Sequence, residues 1–376
     1  MPHDARTLDQ ERQKHAAAAS KRKGRPVALS STSDVVETAG AVAPVALIGA
    51  DVGGTYARLG WAELVPGKPI EIRDFRKYAC AEHPSLAAIL RDYMQSLQQQ
   101  TVLPPVRHAV VAIAGLLDGD TLLNTNLAWP VSLAATQRDA GLERLELIND
   151  FVAVAQAMPH VDRNTLHRIC GHDDESTGPA LVLGPGTGLG VALRLGAGNN
   201  PSVLPSEAGH AALAANTALE RDVVQLLSQR YEHIDNERVL SGPGLMALYA
   251  CLCELRGAAV RWRDPAELVA ASRGGDLLAR ESIQAFCGWM GSLAGDLALT
   301  FGVRAVYLTG GVAGHLAAEL HDGTFQRRFW SKGALSPALR QVPVWRVDHG
   351  ELGVLGALAW HADRLGAGLS NNATGA

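Results

Sequence analysis

The chain has 376 residues, of which 47% are hydrophobic and 19% charged, with a formal net charge of −4 at pH 7. This length exceeds what one hydrophobic core usually supports, so two lobes are expected. The composition excludes general disorder, and a slightly acidic chain is a poor binder of polyanions, so nucleic acid is not an expected partner. The longest uncharged run, 176–193, contains glycines and a proline and is shorter than a membrane span, so no membrane association is expected.

The first 40 residues differ from the rest because they combine a basic run with a Ser/Thr-rich stretch and show no periodicity. They are predicted to form a disordered basic tail. Its segment KRKGRP (21–26) resembles the core of an AT-hook, although a solvated tail is the favoured interpretation. No apolar core follows the basic run as a secretory signal would require, and the five cysteines are scattered, so a cytoplasmic location is expected. Cys251 and Cys253 lie in a helical pattern and are predicted to be buried thiols.

From residue 45 onward, short β-rich runs alternate with longer segments of helical periodicity. The predicted strands are 45–50, 57–61, 70–78, 108–114, 145–148, 180–183, 191–195, 305–308 and 342–347. The predicted helices are 85–97, 217–230, 243–256, 279–300 and 352–365. Both halves open with a strand, a glycine-rich turn and a second strand. This order predicts a duplicated α/β unit with a cleft between two lobes.

Glycine-rich turns follow apolar strands at 49–55, 184–190 and 309–312. Such turns bring backbone N–H groups close to an anion because no Cβ intervenes. The spacing of these glycines matches neither the dinucleotide fingerprint nor the P-loop, so both of those enzyme classes are disfavoured.

Two acids stand at the ends of predicted strands. Asp51 is either a turn cap or a partner of Mg²⁺ on a phosphate. Asp150 is either a helix N-cap or the carboxylate that a kinase needs to accept the proton of the attacking hydroxyl. The neighbouring amide of Asn149, and the matching acid beside a glycine turn, favour the kinase interpretation. Two other polar segments, 207–210 and 237–244, are surface turns on local sequence alone.

Eight stretches, taken together and in this order, resemble the bacterial glucokinases of the hexokinase/actin-like ATPase fold. They are GADVGGTYARL (49–59), TNLAW (125–129), LELINDFVAVA (145–155), LVLGPGTGLGVA (181–192), LPSEAGH (204–210), ERVLSGPGL (237–245), LTGGV (308–312) and HGELGVLGAL (349–358). The ROK branch of these kinases would carry a cysteine-rich zinc motif after the sugar histidine. No cysteine lies between Cys170 and Cys251, so the resemblance is to the branch without it.

The resemblance implies a two-lobed ribonuclease-H-like fold with duplicated α/β units and an active-site cleft between the lobes. It implies a small domain of residues 45–160 plus 349–376 and a large domain of residues 161–348. The implied activity is ATP-dependent phosphorylation of glucose at the 6-hydroxyl, at the entry to glycolysis, with Mg²⁺ as the metal and a homodimer as the assembly.

The resemblance also implies roles for individual residues. Asp150 would be the general base, and Asp51 would hold Mg²⁺ through its water shell. The sugar ligands would be Asn149, Asp150, Glu207, His210 and Glu237. The two phosphate loops would be Gly53, Gly54 and Thr55 with Gly186, Thr187 and Gly188, and the adenosine end would meet Gly310 and Gly311.

The chain departs from the family pattern at three places. Tyr56 stands where Asn usually follows the threonine, the sugar motif reads SEAGH, and residues 211–213 lack the usual acid. These departures leave two alternatives beside a glucokinase. One is a catalytically weak sugar-sensing protein, associated with DNA through its basic tail. The other is a kinase of the same fold for another hexose, such as fructose or mannose.

Overall fold

The computed structural model describes residues 44–100, 106–123, 127, 129–172, 178–196 and 202–373. The predicted tail, 1–40, lies outside the described residues. Within these ranges, no helix combines the length and the apolar character needed to cross a membrane.

The described residues form three β-sheets with helices packed on them. The strands are β1 (Val45–Val52), β2 (Tyr56–Leu64), β3 (Arg73–Ala79), β4 (His108–Ile113), β5 (Leu116–Asp118), β6 (Thr121–Leu123), β7 (Val131–Ser132), β8 (Arg144–Asn149), β9 (His167–Cys170), β10 (Ala180–Pro185), β11 (Leu189–Leu195), β12 (Ser202–Ser206), β13 (Ala305–Leu308) and β14 (Val344–Arg346). The helices are α1 (Leu86–Gln100), α2 (Leu133–Ala140), α3 (Asp150–Ala157), α4 (Ala218–Ser228), α5 (Gly242–Leu255), α6 (Pro265–Arg273), α7 (Leu277–Phe301), α8 (Gly311–His315), α9 (Thr324–Trp330), α10 (Ser336–Leu339) and α11 (Leu352–Ala373). Each strand and helix predicted from the sequence is confirmed, with ends that differ by a few residues.

The two larger sheets repeat one topology. The first has the order β3-β2-β1-β4-β8, and the second has the order β12-β11-β10-β13-β14 with β9 added at its edge. In both, three strands form an antiparallel meander and the two that follow run parallel to its first strand. The duplication predicted from the two strand–turn–strand segments is therefore confirmed in the sheets themselves.

Among the described residues, the third sheet, β5-β6-β7, has no counterpart in the second half. Its strands have only two or three residues, too few for a period-2 pattern to be recognised in the sequence. It joins β4 to α2, whose N-terminus is capped by the Ser132 hydroxyl.

Alternation along the strands directs one side chain to each face of a sheet. In β10, Leu181 and Leu183 enter the large core formed with α5, α7 and α9, whereas Val182 faces α3. In β1, Ile48 packs with α1, whereas Leu47 packs with α11. Helices α3 and α11 thus lie on the faces that the larger cores leave free.

Helix α3 touches both larger sheets and also packs on α11. The two helices approach closely because a Cβ on Gly356 would lie 1.8 Å from the Ala153 carbonyl oxygen, so only glycine fits there. The N-terminus of α3 follows directly from β8, at the carboxyl ends of the parallel strands. This connection positions Asn149 and Asp150 where the glycine turns of both sheets meet.

Candidate active site

A cavity of about 560 Å³ lies at the ends of β1, β8 and β10. It is lined by residues from all three glycine-rich turns, from the start of α3 and from the segments after β12 and α4. The residues predicted from the sequence that line it are Asp51, Gly53, Gly54, Thr55, Asn149, Asp150, Gly186, Thr187, Gly188, Glu207, Glu237, Gly310 and Gly311. His210 is the predicted site residue that the described lining does not include.

The first glycine turn, Gly53–Thr55, is fixed from the side of β3. The Gly53 N–H donates to the Tyr56 carbonyl at 3.0 Å, and the Cys80 N–H donates to the Thr55 carbonyl at 2.9 Å. Within the described part of the chain, the N–H groups of Gly54 and Thr55 have no protein acceptor. Two unpaired backbone donors beside a cavity suit an anionic ligand.

The second glycine turn, Gly186–Gly188, is likewise closed by one backbone hydrogen bond. The Gly186 N–H donates to the Gly188 carbonyl at 2.8 Å, and the next N–H, that of Leu189, donates to Glu237 Oε2 at 2.7 Å. Among the described residues, the N–H groups of Thr187 and Gly188 are left without a protein acceptor. The two turns therefore present matching pairs of donors to one cavity.

Gly310 closes the third turn, ahead of the short helix α8. Its φ of 91° lies in the left-handed region, and a Cβ there would lie 2.6 Å from the Pro185 carbonyl oxygen. Glycine is required at this position for both reasons. The third turn is thereby packed directly against the end of β10.

Asp51 is buried in β1, and the structure excludes its interpretation as a turn cap. Its carboxylate accepts a hydrogen bond from Arg58 Nη1 at 3.2 Å, and Arg58 is its cross-strand partner in β2. A Cβ on Gly353, in the first turn of α11, would lie 2.5 Å from the Asp51 Cγ. The acid is thus enclosed between β2 and α11 while it borders the cavity.

The N-cap of α3 is Asn149 rather than Asp150. The Asn149 Oδ1 accepts hydrogen bonds from the Phe151 N–H at 3.0 Å and the Val152 N–H at 3.1 Å. Asp150 is the first helical residue, and its Oδ1 accepts from the Phe151 N–H at 2.9 Å. Because Asn149 already caps the helix, the Asp150 carboxylate is available to a ligand in the cavity.

Burial raises the pKa of the Asp150 carboxyl to about 6, against a lowering by the Phe151 N–H bond and a further raising by the negative charges of Asp51 and Glu207. A carboxyl with a pKa near 6 is ionised at pH 7 and accepts a proton more readily than an ordinary aspartate does. That combination is what general-base catalysis needs.

Glu207 and Glu237 border the same cavity from the side of the second sheet. Glu237 is fixed by its bond to the Leu189 N–H, and its Oε2 would lie 2.5 Å from a Cβ on Gly188. His210 lies elsewhere, because its side chain is 59% exposed and its Nδ1 is 3.4 Å from Asp235 Oδ2. Glu207 is exposed as well, so the exposed-turn interpretation describes both side chains, and of the two only Glu207 borders the cavity.

Three further cavity residues were not singled out from the sequence: Arg58, Phe151 and His349. The register of the first hairpin would have found Arg58, since it pairs with Asp51. Burial lowers the pKa of the His349 imidazole, whose Nδ1 is buried without a hydrogen-bond partner among the described residues. Arg58 and His349 lie within two of the eight stretches that resemble the family, 49–59 and 349–358, but nothing in their local sequence marks them as functional.

Comparison with known proteins agrees with this geometry. The model of the glucokinase family matches residues 48–364. The chain belongs to the glucokinase family. A glucokinase-like protein of Xylella fastidiosa (strain 9a5c) is 38% identical over 322 residues, which cover 84% of this chain and 95% of that protein. The glucokinase of Chromobacterium violaceum is 37% identical over 317 residues, covering 84% and 89%.

A solved glucokinase from an Antarctic psychrotroph superposes with a TM-score of 0.74 at 30% identity, over 84% of this chain and 98% of that one. The fold class expected from the sequence, the two-lobed α/β fold of hexokinases and actin, is confirmed by this match within the glucokinase family. As a member of that family, the chain is a kinase.

Proposed function

We propose that the chain transfers the γ-phosphoryl group of ATP to the 6-hydroxyl of glucose, giving glucose 6-phosphate and ADP. One observation carries the proposal: the half-buried carboxylate of Asp150 shares a cavity with two turns that each offer unpaired N–H donors. An acid that accepts a proton, beside donors for phosphate oxygens, is the constellation that phosphoryl transfer requires. Membership of the glucokinase family supports glucose as the acceptor.

In the proposed step, Asp150 accepts the proton of the sugar 6-hydroxyl as its oxygen attacks the γ-phosphorus. The new O–P bond forms while the bond to the leaving ADP breaks, and the proton stays on the carboxyl until product leaves. A bond from the Phe151 N–H keeps one carboxylate oxygen in place. The protein otherwise contributes by holding the two reactants in line.

The N–H groups of the two glycine turns are proposed to bind the phosphate chain, with Gly310 and Gly311 at the adenosine end. Arg58 is added to the residues predicted from the sequence, because its guanidinium borders the same cavity beside the first turn. It pairs with Asp51, so the pair brings a balanced charge to the phosphates rather than a free cation.

Asn149, Glu207, His210 and Glu237 are proposed to bind the sugar hydroxyls. Carboxylates and amides that bond each hydroxyl reject sugars lacking one, because their own polar groups would remain unpaired. The exposed side chain of His210 requires the turn after Glu207 to move towards the cavity when the sugar binds. Among these ligands, His210 is the one that does not line the cavity, so its contribution depends on closure.

The residues present suit Mg²⁺ held mainly by the nucleotide. The described residues contain no group of three or more His, Cys, Asp or Glu side chains able to hold a metal ion. Mg²⁺ commonly binds one or two carboxylates together with substrate phosphates and water, and Asp51 supplies one enclosed carboxylate at the cavity wall. When bound with ATP, the metal would neutralise charge on the phosphates. Asp51 would orient its water shell.

The proposal includes a small domain of residues 45–160 plus 349–376 and a large domain of residues 161–348. The packing of α11 on the first sheet supports the return of the C-terminal segment to the small domain. A cytoplasmic location and a homodimer are also part of the proposal. Light scattering during size-exclusion chromatography tests the dimer, and cell fractionation tests the location.

A coupled assay of ADP release with MgATP tests the activity. We expect release to depend on glucose and to exceed release with fructose or mannose. Greater release with either of these two hexoses would identify another hexose kinase of the same fold. Glucose binding without ADP release would favour the sugar-sensing alternative.

A further inference from the structure

Phe151 lies between the catalytic helix and the second glycine turn. Gly184 and Gly190 are cross-strand partners in β10 and β11, one pair before the pair Pro185 and Leu189 that flanks that turn. A Cβ on Gly190 would lie 1.9 Å from Phe151 Cε2, and a Cβ on Gly184 would lie 2.4 Å from Phe151 Cζ. The phenyl ring thus occupies space that exists only because both strand residues lack a side chain. We refer to Gly184 and Gly190 as the glycine slot.

The main chain of Phe151 contacts the base directly. Its N–H donates to Asp150 Oδ1 at 2.9 Å and to the Asn149 cap at 3.0 Å. One residue therefore contacts the general base through its backbone and the strands of the second turn through its ring. The hydrophobic cluster that Phe151 joins continues along α3 through Val154, Ala155 and Ala157 and includes Val182 and Ala192 of this sheet.

We infer that Phe151 is a positioning residue whose ring, packed in the glycine slot, sets the distance between the Asp150 carboxylate and the second phosphate turn. The inference rests on the proposed function, because it assigns the base and the phosphate turn their roles. It adds that the position of the base and the position of the second phosphate turn depend on each other through the ring. The start of α3 cannot shift relative to β10 and β11 without moving the ring out of the slot.

This coupling bears on rate more than on binding. The base and the phosphoryl group must be aligned to within a fraction of an ångström, and a misplacement of about 1 Å can cost roughly 100-fold in rate. Three of the proposed sugar ligands, Glu207, His210 and Glu237, belong to other segments and are not held by the phenyl ring, and Asn149 remains fixed by the two N–H groups that it caps. Loss of the ring should therefore reduce kcat while leaving glucose affinity nearly unchanged.

The test uses three variants: Phe151→Leu, Gly190→Ala and the double variant that carries both changes. Met158→Ala is the control. Met158 is a buried residue of the same hydrophobic cluster, lies just after α3, and does not line the cavity. Phe151→Leu leaves the slot partly empty, whereas Gly190→Ala fills it with a methyl group that displaces the ring. For each protein, kcat, the KM values, the glucose Kd from tryptophan fluorescence and the Tm are measured.

We expect Phe151→Leu to lower kcat by roughly 10- to 100-fold, with the glucose Kd within about threefold of wild type. Met158→Ala should lower the Tm to a similar extent and keep kcat within about twofold. If ring and slot act as one unit, the fold-loss in kcat of the double variant will be smaller than the product of the two single fold-losses by about tenfold or more.

Three results would overturn the inference alone, provided that the wild type is active. The first is a kcat for Phe151→Leu within about threefold of wild type, and the second is a double variant whose loss equals the product of the single losses. The third is an equal fall in kcat for Met158→Ala, because general softening of the helix would then explain the effect. If the wild-type chain does not phosphorylate glucose, the proposed function fails first and this inference with it.

Discussion

The two hairpins that reach the cavity share a backbone design and differ in what flanks their turns. Each has a turn closed by one N–H bond, Gly53 to Tyr56 or Gly186 to Gly188, and each leaves two donors unpaired. Beside the first turn, the cross-strand pair is Asp51 and Arg58, an ion pair at 3.2 Å. Its counterpart beside the second turn is the glycine slot, filled by Phe151.

The difference indicates a division of labour between duplicated units. The first hairpin brings charge to the cavity, through an acid and a guanidinium whose positions depend on each other. In the second hairpin, both residues of the corresponding pair are glycines, so the helix that carries the base can pack on its strands. The same strand–turn–strand pattern thus serves electrostatics in one half and alignment in the other.

The largest effect should come from the base itself. Replacing Asp150 with Asn keeps the shape of the site and removes the proton acceptor, so kcat should fall by roughly 10²- to 10⁴-fold. Glucose affinity should change little, because the other hydroxyl ligands remain. Steady-state kinetics and glucose titration measure the two quantities. A near wild-type kcat would mean that Asp150 is not the general base and that it acts only as a structural residue at the start of α3.

The same variant should be more stable than wild type at neutral pH. The pKa of Asp150 is about 6 in the folded chain against 3.8 as its ordinary value, so the wild type loses stability as pH rises between these values. The loss, complete above pH 6, corresponds to about 3 kcal/mol. Asp150→Asn should raise the Tm at pH 7.5 and leave it unchanged near pH 3.5. An equal gain at both pH values would exclude this origin.

Alanine substitutions at Gly184, in β10, and at Gly186, in the second turn, sharpen the comparison of the hairpins. A Cβ on Gly184 would overlap the Phe151 ring, whereas nothing lies within 4 Å of a Cβ on Gly186. Gly184→Ala should therefore cost about 1–3 kcal/mol of stability from overpacking. Gly186→Ala should remain close to wild type in denaturant unfolding. In the first turn, the nearest atom to a Cβ on Gly53 is 3.7 Å away, so Gly53→Ala should behave like Gly186→Ala. Equal losses in all three would show that the hairpins do not differ in this respect.

The sugar ligands should separate according to whether they border the cavity. Glu207→Gln and Glu237→Gln should each weaken glucose binding by about 1–3 kcal/mol, since both side chains border the cavity and sugar hydroxyls would be left unpaired. His210→Ala should cost less in the binary complex, because its side chain does not line the cavity, and more once ATP has closed the site. Glucose titrations with and without a non-hydrolysable ATP analogue measure this difference. Equal losses for His210→Ala in both titrations would exclude a closure-dependent role.

The smallest effect should come from Tyr56, although it departs from the family pattern. Its side chain is 39% exposed, it does not line the cavity, and the Lys77 Nζ lies 3.5 Å from its ring centroid. The ring thus points away from the phosphates, as strand alternation predicts. Tyr56→Asn should change kcat and the KM for ATP by less than about threefold, under roughly 0.7 kcal/mol. A tenfold gain in kcat/KM would show that the tyrosine obstructs the first turn.

Much of this site could be predicted from the sequence because its parts are local. Glycine turns after apolar strands, and Asp150 at the end of β8, are readable from neighbouring residues alone. Arg58 could not be assigned without the register that pairs it with Asp51. The glycine slot was equally hidden, since Gly184 and Gly190 read as turn glycines until Phe151 is brought onto them from 33 residues away in the chain.

Other differences have the same physical origin. The cap of α3 is Asn149, whose Oδ1 accepts from two N–H groups of the first turn, and local sequence alone also allowed Asp150 in that role. The exposure of His210 depends on the packing of the segment after β12 against Asp235, which is distant in sequence. The buried thiols of Cys251 and Cys253 were predicted correctly, since the stretch that contains them is apolar on all sides of the helix.

The pH dependence of kcat/KM for glucose, at saturating MgATP, tests the central claim most directly. That claim is that a half-buried Asp150, active as the carboxylate, accepts the proton of the sugar. The wild type should lose activity below an apparent pKa of about 6 and reach a plateau above pH 7. The residual activity of Asp150→Asn should lack this limb, which separates the acid from titration of the nucleotide. A limb that persists unchanged in Asp150→Asn, or a wild-type profile that is flat from pH 5 to 8, would contradict the account.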